Sequence, residues 1–505
     1  MRNLLLCALV GAATITAHGE SADYIYVPPV KSLAETSSPV NTATLDAMLD
    51  GDYPQFVIDT YAGQNSALKH ANVKRELQVG AGIELDWTGT DFFGAPTQDG
   101  NTFHWRTALT SVDATALRLK VDLSHLRPNE TLWIVDVEGR YPLGPYTLTD
   151  AESDGQWLPT TIGDTVVVWV SSPAKSTPDI TVLMASHYYE SPVTKGTNPC
   201  PLPADCITDT SLQEVSTAIG RLSITDDRGT SALCSGALIN NGTTEELESY
   251  FLTADHCFQD YPGTIFASAL EVIWDFRANG CNGVEPAGTD FAQLPRSVGS
   301  AFLGNSATID GMLLKLGSVP NGTRGRAWLG WDTRTPNAGE RVVCLHHPAG
   351  TAMKESIGTV SRIEVDTNFG QNQTTMSWSE GITEGGSSGA PSMFNNGQFR
   401  IFGMLSNGNF QSCRGAGERL DQYSSFRDFF VQIGGFLVDT TPPGTGRTAY
   451  VTPNTGGGGG GGGGVIRGCV VGPAKTQAAV GDLLVAGLAL MTLAAWRTAG
   501  QRRGD

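Results

Sequence analysis

Short apolar runs separated by Gly, Pro, Asp and Asn recur along most of the chain and predict β-strands. In the first part of the chain the densest runs are TLWIVDVEG (131–139) and TVVVWVSSP (165–173). Their β-branched content favours strands, so we predict a small β-sandwich-like module there. After residue 207 the runs are GALIN, SYFLTA, LEVIWDF, GMLLKL, RVVCLHH and FRIFGML. Helical patterns are few, and the best of them covers 423–437 at the end of this second part. The pattern therefore predicts an all-β protein with a C-terminal helix.

Changes in composition divide the chain into segments. Residues 191–205 are rich in proline and polar residues, which is typical of a linker, and every cysteine except Cys7 follows residue 199. The run of glycines at 456–464 makes a flexible tether that cannot form a core. We therefore expect a signal peptide at 1–19, an N-terminal β-rich module at 20–192, a linker at 193–207, a second β-rich domain at 208–440, a Gly-rich tether at 441–468 and a tail at 469–505.

Both ends of the chain carry targeting signals. Residues 1–19 combine an early arginine, an apolar run and small residues near Ala17, the layout of a secretory signal peptide. Residues 478–496 are long and apolar enough to span a bilayer, and arginines follow them. With Cys469 as its motif residue, the tail resembles bacterial tripartite sorting tails, which membrane peptidases process. The alternative is a permanent anchor. We expect a secreted or cell-surface protein.

The net charge bears on the possible binding partners, and the number of cysteines bears on the disulfides. The formal net charge of −18 argues against nucleic acids and anionic membrane surfaces as partners. In an oxidising compartment most cysteines should pair, and outside the signal and the tail their number is odd, so one should remain free. We expect a monomer with no cofactor.

The neighbouring residues His346 and His347 should point to opposite faces of their strand, so we predict structural roles for them and no metal site.

Three stretches of the second domain together indicate catalytic chemistry. His256 precedes Cys257 in YFLTADHC, Asp310 begins the apolar run of NSATIDGMLLKL, and residues 381–391 read GITEGGSSGAP. By itself the last stretch is typical of a surface loop. The order His, Asp, Ser, with the histidine beside a cysteine, is how chymotrypsin-like β-barrel proteases arrange their catalytic triad.

The residue types meet the needs of acyl transfer. A serine hydroxyl becomes a nucleophile when a neutral imidazole accepts its proton, and a carboxylate fixes the tautomer of that imidazole. We predict Ser388 as the nucleophile, His256 as the base and Asp310 as its partner. The developing oxyanion needs backbone N–H groups that side chains would obstruct. The N–H groups of Gly386 and Ser388 are therefore the predicted oxyanion hole.

The second domain resembles the bacterial lysyl endopeptidases, within the trypsin-like serine proteases. The segments that carry the resemblance span 200–437 and are CSGALINN, YFLTADHC, VIWDFRANGC, AWLGWDTR, LHHPAG, GITEGGSSGAP and RLDQYSSF. The resemblance implies a two-barrel chymotrypsin-like fold with a C-terminal helix. It also implies the disulfides Cys234–Cys257, Cys200–Cys413 and Cys206–Cys281, which leave Cys344 as a buried free thiol.

The same resemblance implies the substrate pocket. Ile382 stands where trypsin has its pocket aspartate, whereas lysyl endopeptidases use an aspartate in a segment like RLDQY, which is Asp421 here. A buried carboxylate favours a cation, so Asp421, with Glu384 as a second acidic candidate in the pocket wall, implies cleavage after lysine or arginine. We expect an exported serine endopeptidase. The alternative is a non-catalytic cell-surface binding protein on a protease-like barrel.

Some residues depart from the pattern of these families. Ser387 replaces the aspartate that binds the new N-terminus of activated trypsin, so activation by such an insertion is not expected. Ser406 stands where lysyl endopeptidases carry a histidine, and Phe369 is the candidate for the aromatic residue that shields their catalytic histidine. The N-terminal module, as a pro-region, would assist folding and block the site until cleavage near Lys195.

Overall fold

The computed structural model describes residues 24–27, 45–46, 49–58, 77–193, 200–242, 247–258, 269–365, 372–408, 419–437 and 444–453. The predicted signal peptide, Lys195, Phe369, Cys413 and the predicted membrane span at 478–496 lie outside these residues. In the part of the chain that is described, every helix is too short or too polar to cross a bilayer.

The N-terminal module is a β-sandwich, as predicted. One sheet has the strand order β2-β5-β11-β7-β8, with β4 beside β5, and the facing strands are β10, β6, β12 and β3, with β9 beside β6. Leu119, Ile134 and Val168, which come from both layers, are buried together in one core. The elements up to this point are β1 (Tyr24–Val27), β2 (Gln55–Val57), β3 (Leu77–Thr88), α1 (Gly89–Phe92), β4 (Thr97–Asp99), β5 (Thr102–Thr110), β6 (Ala116–Asp122), β7 (Thr131–Asp136), β8 (Tyr141–Tyr146), β9 (Gln156–Trp157), β10 (Thr161–Ile162), β11 (Thr165–Ser172) and β12 (Thr181–Tyr188).

The next strands, except β13, form the first half of the second domain. They are β13 (Leu202–Pro203), β14 (Ile219–Thr225), β15 (Ser231–Leu238), β16 (Tyr250–Thr253), β17 (Leu270–Trp274), β18 (Arg296–Val298), β19 (Ser300–Ser306) and β20 (Gly311–Leu316), with helices α2 (Thr210–Val215) and α3 (Thr289–Ala292). Strand β15 pairs with β3, so this half and one layer of the sandwich form a single 12-stranded sheet. The sequence did not predict this joint sheet.

The second half of the domain contains a closed barrel. The elements of this half are β21 (Arg326–Trp328), β22 (Arg341–His346), β23 (Lys354–Val365), β24 (Asn372–Glu380), β25 (Pro391–Phe394), β26 (Ile401–Gly408), β27 (Leu420–Ser425) and helix α4 (Phe426–Ile433). The strands run β13-β23-β22-β25-β26-β27-β24, and β24 also pairs with β23, which closes the sheet. The all-β fold with two barrel halves and a C-terminal helix is confirmed.

Two details at the C-terminal end correct the sequence predictions. Helix α4 begins after Ser425, whose side chain accepts from Asp428 N–H, because the preceding residues belong to β27. Strand β28 (Thr448–Val451) lies inside the predicted tether of 441–468 and pairs with β21 and β1. Its TAYV side chains are buried, so the folded chain continues past residue 440. The Gly- and Thr-rich surroundings concealed this short apolar run.

The cysteines agree with the implied pairing where they are described. Disulfides join Cys206 to Cys281 and Cys234 to Cys257, with Cα atoms 4.3 and 6.4 Å apart. Cys200 is also disulfide-bonded, and its implied partner Cys413 lies outside the described residues. Cys344 is a buried free thiol, and burial raises its pKa to about 12.

Candidate active site

His256 and Asp310 form a buried pair. His256 lies in the 3-10 turn Asp255–Cys257 that follows β16, and the disulfide of Cys257 ties this turn to β15. Its Nδ1 is 2.8 Å from Asp310 Oδ2, and its backbone N–H donates to Asp310 Oδ1 at 2.8 Å. A carboxylate partner makes Nδ1 the protonated nitrogen of a neutral imidazole, so Nε2 carries the lone pair.

Asp310 is fixed from the opposite side as well. Ser406, on β26, donates from Oγ to Asp310 Oδ2 at 2.5 Å. Asp310 itself adopts a φ of 58° immediately before β20, a left-handed conformation that is uncommon for a residue other than glycine and is often found at functional sites. The sequence marked Ser406 only as a departure from lysyl endopeptidases, and its contact with Asp310 was not predicted.

The loop of Ser388 lies against the histidine turn. Ser388 O accepts a hydrogen bond from Ser235 N–H on β15 at 2.8 Å and lies 3.9 Å from Cys257 Sγ. Gly389 makes this approach possible, since a Cβ there would lie 2.7 Å from Ala254 N. The fold thus brings together the three residues predicted to form the triad.

The second nitrogen of His256 is available. Nε2 is buried and has no hydrogen-bond partner among the described residues, so it is not bonded to the Ser388 hydroxyl. Catalytic hydrogen bonds are often longer before substrate binds. An imidazole nitrogen with an unused lone pair can accept a proton.

Two backbone N–H groups of the Ser388 loop have no acceptor among the described residues. Gly385 O accepts from Ala349 N–H at 2.7 Å, and because a trans peptide holds C=O and N–H on opposite sides, Gly386 N–H points the other way. Within the described chain neither Gly386 N–H nor Ser388 N–H has an acceptor. Gly386 has a φ of 90°, which glycine adopts without strain. The pair can donate to an oxyanion.

Histidine and serine side chains hold this loop from behind. His346 Nδ1 lies 2.8 Å from Ser387 Oγ, and its Nε2 lies 3.1 Å from Ser356 Oγ. Glu384 N–H also donates to Ser387 Oγ at 3.2 Å. Burial lowers the pKa of His346 to about 3, so the imidazole is neutral. The residue that takes the place of trypsin's aspartate is therefore bonded to a neutral side chain.

His347 has separate contacts. Its N–H donates to Ser235 Oγ at 3.0 Å, its Nδ1 donates to Thr351 O at 3.0 Å, and its ring stacks on Phe276. The two histidines thus have different neighbours, in agreement with their predicted orientation. The described residues contain no cluster of side chains that could hold a metal ion.

Asp421 lies beneath this loop, on β27. Thr383 Oγ1 donates to Asp421 Oδ2 at 2.7 Å, and Trp378 Nε1 donates to the same oxygen. The other oxygen, Oδ1, faces Gly408, where an added Cβ would lie 2.1 Å from it. Burial raises the pKa of Asp421 to about 6. Ile382 is buried and Glu384 is half-buried in the same loop.

Comparison with known proteins also indicates a serine protease. Residues 195–424 match the family model described as lysyl endopeptidase, C-terminal domain. A lysyl endopeptidase of Pseudomonas aeruginosa is 26% identical over 390 residues, which are 72% of this chain and 81% of that protein.

Two solved structures are also similar. The active form of the Rv3671c protease from M. tuberculosis has a TM-score of 0.33 and 14% identity, and covers 50% of this chain and 96% of its own. The HtrA-type protease AlgW with a tripeptide has a TM-score of 0.30 and 15% identity, and covers 45% of this chain and 62% of its own. The match to the family model and the similarity to the curated relative support a serine endopeptidase.

Proposed function

We propose that the protein hydrolyses peptide bonds after lysine, and also after arginine, through an acyl-enzyme on Ser388. The observation that carries the proposal is the buried His256, which is bonded through Nδ1 to Asp310 and has an unused Nε2 beside the Ser388 loop. This arrangement supplies a base whose tautomer is fixed.

Each step of the proposed reaction uses a group at the site. Ser388 Oγ attacks the carbonyl carbon of the substrate while its proton moves to His256 Nε2, and Asp310 stabilises the imidazolium. The N–H groups of Gly386 and Ser388 donate to the oxyanion. When the C–N bond breaks, His256 returns the proton to the leaving amine. Water then attacks the acyl-enzyme by the same route and releases the acid and Ser388.

Specificity for a basic residue rests on Asp421. Its carboxylate is 4% exposed, and the groups that influence its pKa are two neutral donors, Thr383 and Trp378, with no cation among them. A buried carboxylate without a cation is costly to ionise. A lysine or arginine side chain entering beside Gly408 would supply that cation. Glu384, in the loop that contains Thr383, is the proposed second acidic group of the substrate pocket.

Assembly of the oxyanion hole is proposed to need no new N-terminus. Trypsin-like activation requires an aspartate before the nucleophile, and here Ser387 Oγ is instead hydrogen-bonded to His346 Nδ1 and accepts from Glu384 N–H. The carbonyl of Gly385 is already held by Ala349 N–H. The loop is therefore proposed to have its catalytic conformation before any cleavage of the chain.

Export is the remaining part of the proposal. The disulfides Cys206–Cys281 and Cys234–Cys257 are typical of oxidising compartments, and 1–19 has the layout of a signal peptide. The tail at 469–505 is proposed to anchor the protein or to be removed by a membrane sorting peptidase. The mass of the cell-associated and secreted protein would distinguish these two fates.

The site assignment is tested with the purified full-length protein and a fluorophosphonate probe. Peptide mapping should find the label on Ser388, and Ser388→Ala should remove both label and peptidase activity. Label on another serine would overturn the assignment. Cleavage of a peptide library should show lysine or arginine before the cut bond, and cleavage after uncharged residues would overturn the proposed specificity.

A further inference from the structure

The N-terminal sandwich and the protease domain are joined by main-chain hydrogen bonding. In the ladder between β3 and β15, Gly80 lies opposite Ser231 and Leu77 lies opposite Leu233. Ser186 Oγ of the sandwich is 2.8 Å from Ser231 Oγ. Gly82 lies against the protease chain so closely that a Cβ would be 1.7 Å from Arg228 O. Removal of the sandwich would expose β15 as a sheet edge.

Buried polar groups of each part find their partners in the other. Arg118 of the sandwich is fully buried and donates to Thr225 Oγ1 at 3.0 Å and to Ala269 O at 2.9 Å. Tyr188 Oη is 2.9 Å from Ser223 Oγ. A buried charge that loses its partners is strongly destabilising, so these contacts favour a stable interface.

The same pattern holds for charges that belong to the protease domain. Glu271 is fully buried, and Thr160 of the sandwich donates to it from Oγ1 at 2.6 Å. Arg296 donates to Thr160 O at 2.7 Å as well as to Glu271. Arg221, also fully buried, donates to Pro192 O. Interfaces between separable partners are rich in solvated polar groups at their rim, whereas these charges are buried.

The sandwich also reaches the catalytic loop. Leu77, at the start of β3, packs against the loop glycines: its Cδ2 lies 3.3 Å from where a Cβ on Gly386 would be. The Cβ of Leu77 likewise lies 3.8 Å from the position that a Cβ on Gly385 would take. Gly386 supplies one N–H of the proposed oxyanion hole, so the sandwich supports the loop that must hold the N–H groups in place.

We propose that residues 77–193 are a permanent part of the active enzyme rather than a pro-region that is discarded. They remain bound through the β3–β15 ladder and the buried polar contacts even when the linker at 194–199 is cut, and Leu77 positions the oxyanion loop. Retention is independent of the reaction, whereas the positioning role rests on the proposed function.

The retention part is tested on the full-length protein with a recognition sequence for an unrelated protease placed in the linker at 194–199. After the cut, both fragments should elute together in native gel filtration, and the fluorophosphonate should label Ser388 to the same extent as before. Separation of the fragments, with the label retained on the isolated protease part, would overturn the proposal. If the uncut protein is not labelled, the proposed function fails, and co-elution alone still decides retention.

Substitutions localise the effect to the interface. Arg118→Met removes the buried cation that crosses between the two parts, and the cut fragments should then separate at a lower urea concentration. Arg127→Met is the matched control, because Arg127 bonds Glu130, Ser176 and Thr177 within the sandwich. Equal urea midpoints for the two variants would contradict the assigned interface.

Leu77→Ala tests the positioning role. Displaced catalytic groups lower the rate more than binding, so kcat should fall roughly tenfold or more while KM changes little. Leu85→Ala is the control, since Leu85 lies on the same strand but packs into the sandwich core. An equal loss of kcat in both variants would show a general effect on folding and would refute the role of Leu77.

Discussion

Two buried aspartates of the same domain differ in how completely they are satisfied. Asp310 is bonded by the side chains of His256 and Ser406 and by the backbone N–H of His256. Asp421 has donors on one oxygen only, and its other oxygen faces Gly408. Asp310 thus has side-chain partners on two sides, whereas among the described residues Asp421 has only neutral donors, both on one oxygen. The proposed roles follow this difference: Asp310 would support the base, and Asp421 would bind the cation of the substrate.

The largest expected effect comes from Asp310→Asn. The amide keeps the shape of the side chain but cannot stabilise the imidazolium, so His256 loses its fixed tautomer. In a triad this change lowers kcat on the order of 10⁴-fold. Steady-state kinetics on a lysyl peptide substrate measures it, with KM as the internal control. A loss of less than tenfold would show that Asp310 does not act on His256.

Asp421→Asn should separate specificity from chemistry. An amide can still accept from Thr383 and Trp378 but cannot pair with an ammonium group, and leaving a buried charge unpaired lowers kcat/KM for lysyl substrates on the order of 10³-fold. A substrate with an uncharged residue before the cut bond should lose little.

Glu384→Gln tests the second acidic group proposed for the pocket, which is half-buried in the loop of Thr383, and we expect a smaller loss of lysyl cleavage than in Asp421→Asn. A larger loss of lysyl cleavage in Glu384→Gln than in Asp421→Asn would reverse the assignment of the pocket carboxylate.

His346→Phe tests the support of the loop at 381–391, which lies between Asp310 and Asp421 in the sequence. It removes the bond to Ser387 Oγ, so the oxyanion loop should lose order and kcat should fall about 10- to 100-fold, with KM little changed. His346→Asn can place an amide N–H near the former Nδ1 and should restore part of the rate. Equal activity of the phenylalanine and wild-type enzymes would show that Ser387 holds the loop without His346.

The sequence suggested candidate catalytic residues but not the residues that contact them. His256, Asp310 and Ser388 were candidates because each lies in a short segment whose composition is typical of such a site, such as the glycines around Ser388. The contacts Ser406–Asp310 and His346–Ser387 join residues far apart in the chain, and no local pattern records them.

The fold shows the same limit. Alternating and apolar runs predicted strands such as β11 and β22, because strand periodicity is local. The pairing of β3 with β15 depends on which strand edges meet after folding. The linker composition at 191–205 predicted a boundary between two modules, but the two modules share one sheet. Strand β28 was concealed by the glycines that follow it.

The smallest expected effect is a pH dependence of specificity. Burial raises the pKa of Asp421 to about 6 from an ordinary value of 3.8, and only the carboxylate attracts a cation. The ratio of kcat/KM for a lysyl substrate to that for a neutral one should therefore rise with pH through about 6 and become constant above it. Taking the ratio cancels the ionisation of His256, which affects both substrates.

The raised pKa of Asp421 also makes the stability of the protein depend on pH, but stability changes in the opposite direction to the specificity ratio. Because the folded state binds the proton of Asp421 more tightly than the unfolded chain, its contribution to the free energy of unfolding falls as pH rises from about 4 to about 6. Asp421→Asn should abolish both the pH dependence of the ratio and this part of the stability profile. A ratio that stays constant with pH in the wild-type enzyme would mean that Asp421 does not meet the substrate cation.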